Sequence, residues 1–170
     1  MRRLLAVHLL RESRIALGLM AKVSIQLSDW ETIRNDPYYH DIIGGYADEC
    51  SIEGMPRPKP DGRVYQQLIN NGVMFPFTAR INPFLIGFIA LLVTPNPHYG
   101  CLIGTVESFY VLPEHRSSGA GLQLLSKARQ HAEALGAKGL LVSAPAGGTL
   151  SAVLDGMNFM HTNEVFFKPL

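Results

Sequence analysis

The run Val106-Glu107-Ser108-Phe109-Tyr110-Val111-Leu112-Pro113-Glu114-His115-Arg116-Ser117-Ser118-Gly119-Ala120-Gly121-Leu122 brings a carboxylate, a guanidinium and two close-set glycines together. An apolar, β-branched segment ends at Leu112-Pro113 and helical spacing resumes at Gly121, so a strand passes through a short loop into a helix. The loop reads Arg-x-x-Gly-x-Gly from Arg116 to Gly121, and its glycines permit positive φ and close backbone approach. A helix start presents amide N–H groups without intrahelical partners, and the helix dipole adds partial positive charge there. Arg116, Ser117, Ser118, Gly119, Ala120 and Gly121 are therefore expected to cradle a phosphate or pyrophosphate, with Arg116 adding a cation. The order is not that of the Rossmann fingerprint, and no P-loop lysine follows. A plainer reading is a glycine-rich turn that only joins strand to helix.

Glu107 is the one carboxylate in the segment Cys101–Leu112. Strand alternation places it on a face with Thr105 and Phe109. Burial there would raise its pKa toward a range useful for moving a proton near neutral pH. A structural carboxylate bonded to neighbouring backbone is the equal alternative. The 6 histidines include no His-Glu-x-x-His and no carboxylate-flanked ligand cluster, so no metal is expected, and His115 beside Glu114 is read as solvated. Trp30 and Phe159 are read as core anchors, and Cys101 as a small hydrophobe opening a strand.

These groups must be held by one domain, since 170 residues is close to the usual size of a single compact unit. A composition of 47% hydrophobic and 17% charged residues argues against intrinsic disorder. With 15 Lys+Arg against 14 Asp+Glu the chain carries no bulk field for nucleic acid or an anionic membrane, and neither partner is expected. No run approaches the ~18 apolar residues of a membrane span. Cys50 and Cys101 form no Cys-x-x-Cys pair, which sets a reducing, cytoplasmic home as the expectation. Arg2-Arg3 ahead of Leu4–Leu10 faintly resembles a secretory leader, but His8 interrupts the run and Arg11-Glu12-Ser13-Arg14 ends it. Residues 1–19 are read as a helical or disordered extension, Met20 as a candidate start, and 20–170 as the domain.

Lys22–Leu27 alternates as a strand, and Ser28-Asp29-Trp30-Glu31 fits a capping box with Ser28 as the cap of a helix that stops before Asp36-Pro37. Tyr38 to Cys50 holds more helix, weakened by Gly44-Gly45. Pro56, Pro58 and Pro60 stiffen a loop from Gly54 to Gly62, after which Asp61 caps a helix ending at Asn70-Asn71-Gly72. Val73–Ile81, Phe84–Val93 and Cys101–Leu112 read as an antiparallel meander turning at Asn82-Pro83 and at Thr94-Pro95-Asn96-Pro97. A helix follows with apolar positions Gly121, Leu125, Ala128, Ala132 and Leu135, stopping at Gly136. Gly139–Ser143 is expected as a buried strand, Thr149–Met157 as a helix and Glu164–Lys168 as a last strand. The fold class is mixed α/β (α+β), with an antiparallel first half and a strand–helix–strand crossover in the second.

The segment from Glu107 to Gly121 resembles the GCN5-related N-acetyltransferase (GNAT) superfamily, whose members carry Arg/Gln-x-x-Gly-x-Gly/Ala after the fourth strand. The likeness extends through the following helix and strand to Gly156-Met157-Asn158-Phe159, and it is fullest from Val73 to Leu170. It implies a mostly antiparallel central sheet flanked by helices and splayed between the fourth and fifth strands. It also implies acetyl-coenzyme A as donor, an amine of a small molecule or protein as acceptor, and no metal. The pyrophosphate would lie on the loop amides from Arg116 to Gly121, and the pantetheine arm would pair with backbone around Tyr110 and Val111. Glu107 matches the family's fourth-strand glutamate as general base, and an N–H near Val111 would steady the thioester oxygen.

The match breaks at the general acid. The position four residues before the Gly slot, here Asn158, carries tyrosine in many members and Leu154 in this chain. Asn158 itself suits a left-handed helix stop. Ser151 or water then becomes the candidate for protonating the thiolate. The alternative function is a catalytically weak GNAT-fold domain serving as an acyl-CoA-binding or protein-interaction module. On the acceptor side, Asp48, Glu49 and Glu53 attract a cationic amine while Arg57, Lys59 and Arg63 offset them. A homodimer is left open.

Overall fold

The longest apolar runs of the chain pair with one another and set the frame for everything else. A computed structural model describes residues 22–145 and 147–169, so the expectations for residues 1–19 and Met20 lie outside the described residues. In chain order the elements are β1 (Ser24–Leu27), α1 (Trp30–Arg34), α2 (Tyr39–Glu49), α3 (Gly62–Asn70), β2 (Met74–Ile81), β3 (Phe84–Asn96) and β4 (Cys101–Val111). A 3-10 helix (Pro113–Ser118), α4 (Ala120–Ala134), β5 (Leu140–Val142) and α5 (Thr149–Gly156) complete them. The five-stranded sheet runs in the order β1-β2-β3-β4-β5. Its first three pairings are antiparallel and the last, β4 with β5, is parallel. This is the expected mixed sheet flanked by helices.

Each face of the sheet is covered by a different part of the chain. Ala120, Leu124, Leu125, Ala128 and Ala132 of α4 pack on Phe77, Ile89, Leu91, Val106 and Val111. On the opposite face Ile42 of α2 packs with Leu85, Phe88, Tyr110 and Leu112. Of the predicted α4 stripe Leu125, Ala128 and Ala132 are buried, Ala120 and Leu124 join them, and Leu135 is an exposed C-terminal cap. Among the described residues no helix is long and apolar enough to cross a membrane.

Several local expectations are corrected. The cap of α1 is Asp29, whose carboxylate accepts from the Thr32 amide at 2.7 Å, because Ser28 is drawn onto the sheet by donating its own amide to Pro76 O. Pro95 does not end β3. It faces Leu102 in the β3–β4 ladder and the chain turns after Asn96, whose side chain accepts from the His98 amide. β5 is shorter than expected and half-exposed, since it is an edge strand. Glu164–Lys168 forms no strand. Phe167 and Pro169 lie instead against the loop at Gly54, so the segment finds apolar contacts away from the sheet. His115 is buried, turned inward by the 3-10 helix.

β4 and β5 part early. Gly104, Thr105 and Val106 pair with Leu140, Leu141 and Val142, and the pairing ends there. From Glu107 to Val111 the edge of β4 on the β5 side has no strand beside it among the described residues, the expected splay.

Candidate active site

Glu107 is a β-bulge. Ala90 of β3 faces Ser108 and the next residue, Leu91, faces Val106, so Glu107 is the extra residue without a partner across the ladder. A bulge re-aims the side chains that follow. Phe109 consequently lies on the α4 face beside Gly121, while Glu107 meets Tyr65 of α3 on the other. The expected common face of Glu107 and Phe109 is thus corrected, and so is the expected burial: Glu107 is exposed. The bulge turns its carboxylate off the sheet toward α3.

Tyr65 was not foreseen as a site residue. Its hydroxyl donates to Glu107, 3.0 Å from Oε1 and 2.9 Å from Oε2. α3 starts at a sharp N-cap, where Asp61 accepts from the Arg63 amide at 3.0 Å. The first helical residue, Gly62, leaves room for Trp30, since a Cβ there would fall 2.1 Å from the indole nitrogen. Trp30 in turn packs against the Tyr65 ring, with centroids 4.9 Å apart. Ser108, only 4% exposed, is a second polar neighbour, and among the described residues its hydroxyl has no further partner. Desolvation first, then the Glu107 charge, push the Tyr65 phenol well above its ordinary range, so it stays protonated and donating. Tyr46 of α2 is raised too, by desolvation and then by Cys50 and Glu107.

α2 reaches the site across Tyr110. A Cβ at Gly45 would lie 2.1 Å from Tyr110 Oη, so the helix seats on that ring because position 45 carries no side chain. The end of α2 brings Glu49 to Arg116, whose Nη2 sits 2.5 and 2.7 Å from the two carboxylate oxygens. Arg116 also donates from Nε to Val111 O at 3.0 Å and covers the Tyr110 ring at 5.7 Å. Asp48 is likewise engaged, with Arg57 at 2.5 Å. Two of the three acidic residues read as acceptor attractants, Asp48 and Glu49, are therefore paired within the chain.

The expected cradle is narrower than its motif. Arg116, Ser117 and Ser118 belong to the 3-10 helix, whose later amides donate three residues back. Ser118 Oγ donates to His115 O at 2.6 Å and accepts from the Ala120 amide at 3.3 Å. Gly119 at φ 78 turns the chain, and α4 begins at Ala120, leaving the amides of Gly121 and Leu122 beyond any intrahelical carbonyl. Gly121 is needed sterically, because a Cβ there would stand 3.3 Å from Phe109 Cζ. Val111 is in the core and Ser117 is exposed. Leu154 is 7% exposed within the α4-side core, so α5 offers no acid at that position, and Asn158 takes the left-handed φ of 61.

Two further features lie apart from these groups. Among the described residues no cluster of His, Cys, Asp or Glu is suited to a metal ion. A groove of about 1100 Å³ is lined by Trp30, Tyr39, Asp61, Gln66 and Asn70 among others, and includes neither Glu107 nor the α4 start.

A strand that loses its neighbour at a bulged glutamate and runs on to a glycine-bounded helix start is the arrangement of an acyl-transfer fold. The acetyltransferase (GNAT) family model matches residues 28–147, and the chain belongs to that family. The match begins at Ser28, so α1, α2 and α3 lie within it as well. The fold is shared with a ribosomal-protein-alanine N-acetyltransferase from Brucella melitensis biovar Abortus 2308, at TM-score 0.65 and 19% identity over 86% of this chain and 99% of that one. It is shared with AAC(6')-Iy in complex with the bisubstrate analog CoA-S-monomethyl-acetylneamine, at 0.68 and 17% over 87% and 97%. An aminoglycoside acetyltransferase, HMB0005, from an uncultured soil metagenomic sample aligns at 0.69 and 14% over 88% and 99%. At these identities the likeness is one of fold. No curated protein matches the chain by sequence.

Proposed function

We propose that the chain transfers the acetyl group of acetyl-CoA to an amine of a small molecule or protein by direct attack, with Glu107 taking the amine proton. The observation that carries the reading is the position of the splay. The unpaired edge of β4 starts at Glu107, where β5 ends, and runs to Val111 below the start of α4. At ~3.3 Å per residue its four steps cover about 13 Å. An extended arm pairing along this edge, its diphosphate on the Gly121 and Leu122 amides, has its far end beside Glu107. The free edge, the helix start and the side-chain-free position 121 fit such a donor. Arg116 adds a cation once it shares its guanidinium between Glu49 and a phosphate.

Acetyl-CoA, when bound, supplies a thioester carbonyl that an amine can attack. Glu107 is placed to accept the proton that the nitrogen sheds, and its exposure leaves it open to the acceptor. Main-chain N–H at the Glu107 end of the free edge steadies the carbonyl oxygen as charge builds there, whereas the Val111 end lies by the diphosphate. Amine acceptors, protein or aminoglycoside, agree with the names of the structural neighbours.

Calorimetric titration with CoA and thiol release across an amine panel test this reading. Saturable CoA binding and a fall of ~10²–10⁴-fold in kcat for Glu107→Gln are expected. An unchanged rate in that variant would remove Glu107 from the mechanism. A second reading, a CoA-binding domain with slow transfer, is favoured by Leu154 in the core. It requires saturable CoA binding with thiol release that stays slow for every amine of the panel.

A further inference from the structure

Leu154 gives the departing sulfur no acid at its own position in α5, yet a phenol stands next to Glu107. We propose that Tyr65 protonates the leaving thiolate, in a proton relay with Glu107. This rests on the transfer reading above, and it assigns the acid role to α3. Three observations converge on Tyr65. Its hydroxyl touches both oxygens of Glu107, the residue at which the free edge of β4 begins and at which the thioester end of the donor must therefore arrive. Its ring is fixed by Trp30, so the hydroxyl is presented without loss of rotamer freedom during the reaction. The other phenols nearby are committed: Tyr110 Oη is packed under Gly45, and the Tyr46 hydroxyl pairs with the Cys50 thiol.

The groups facing Tyr65 are Glu107 and Ser108 from β4 and Tyr46 from α2. Charge from Glu107 holds the phenol in its protonated form until that charge is neutralised. The amine proton provides the neutralisation. The nitrogen forms its bond to the thioester carbon and the C–S bond breaks with its electron pair on sulfur. The proton from nitrogen goes to Glu107, the phenolic proton of Tyr65 goes to sulfur, and Glu107 returns its proton to the phenolate. One proton passes from amine to thiol and both side chains regain their starting state. Taking up the first proton makes Tyr65 a better acid for the second, so the two transfers are coupled by one hydrogen bond.

The test is Tyr65→Phe, which keeps the ring on Trp30 and is checked for folding by its melting curve. CoA and desulfo-CoA are titrated calorimetrically into wild type and variant from about pH 7 to about pH 10, across the ordinary thiol range. A donor beside the sulfur stabilises the thiolate, so wild type is expected to prefer CoA over desulfo-CoA by a factor that grows ~10-fold for each unit by which the bound thiol pKa is lowered. In the variant that preference is expected to be flat with pH, and kcat to fall ~10²–10⁴-fold. A variant with the wild-type pH-dependent preference overturns the proposal even if its kcat is low, because Tyr65 then only orients Glu107. Wild type that binds CoA without any such preference also overturns it and leaves the transfer reading standing. Wild type that binds neither ligand removes both.

Discussion

Adjacent glycines in α2 should respond to the same substitution with opposite signs. Gly44 has none of the described residues within 4 Å of a built Cβ, whereas at Gly45 that atom would lie 2.1 Å from Tyr110 Oη and 2.8 Å from Cζ. Both positions are interior to the helix, so alanine gains ~0.8–1.0 kcal/mol of intrinsic helical preference at either. For Gly44→Ala that gain is the whole effect. For Gly45→Ala it is opposed by overpacking, ~1–3 kcal/mol, and the upper half applies because Tyr110 is rigid and buried and cannot swing aside. The expected result is stabilisation of about 1 kcal/mol at position 44 and loss of about 1–2 kcal/mol at position 45. The two variants should then differ in melting temperature by roughly 4–12 °C for a domain of this size. Denaturant titration at constant slope gives the same difference as a free energy. Adding Tyr110→Phe to Gly45→Ala should recover part of the loss, since only the ring carbon remains in conflict. Equal stability of the two single variants would refute the seating of α2 on Tyr110, and with it the delivery of Glu49 and Tyr46 to the site.

The cradle and the titrating groups yield further expectations. Gly119→Ala forces a Cβ onto a φ of 78 and should cost ~1–2 kcal/mol, read by denaturation, together with weaker CoA binding by calorimetry. Arg116→Ala breaks a pair whose side chains are each 46% exposed, so stability should change by under ~1 kcal/mol. Its CoA dissociation constant should nonetheless rise about tenfold or more, and salt should weaken wild-type binding more steeply than the variant's. His131 lies against Phe75 and Phe77, and desolvation followed by Lys127 lowers its pKa below 6.5. The unfolded chain therefore takes up this proton first on acidification, so stability is lost as pH falls through 6.5 and below. His131→Phe should flatten that limb in pH-dependent melts. The raised phenols of Tyr46, Tyr65 and Tyr110 act at the other end: the unfolded chain ionises first above 10.0, and stability falls as pH rises past that value.

Most of the frame was readable along the chain because it is written in short-range patterns. The apolar, β-branched runs of β2, β3 and β4, the Asp61 cap, the proline after Asp36 and the glycine spacing at 119 and 121 each act within a few residues. The same locality explains the errors. Ser28 is as good a cap as Asp29 until its amide is claimed by Pro76 across the sheet. Glu164–Lys168 has the β-branched and aromatic residues of a strand, but composition does not supply a neighbour. The Arg116 to Gly121 motif announces a turn into a helix start, while the 3-10 turn that uses some of its amides depends on how Leu112 and His115 bury.

The chemistry divides in the same way. That Glu107 stands alone in an apolar strand, ahead of a glycine-bounded helix start, is a property of one contiguous segment and survives any packing. That it is a bulge is a property of register, which exists only when β3 lies beside β4 and Ala90 finds Ser108. Tyr65 and Glu107 are 42 residues apart, and Glu49 and Arg116 are 67 apart. Hydrogen bonds reach about 3 Å, so no local spacing rule can announce partners at such separations. Only the closing of α2 and α3 over the bulged strand brings them together, and that closing sets a phenol against a carboxylate that would otherwise stand alone on its strand.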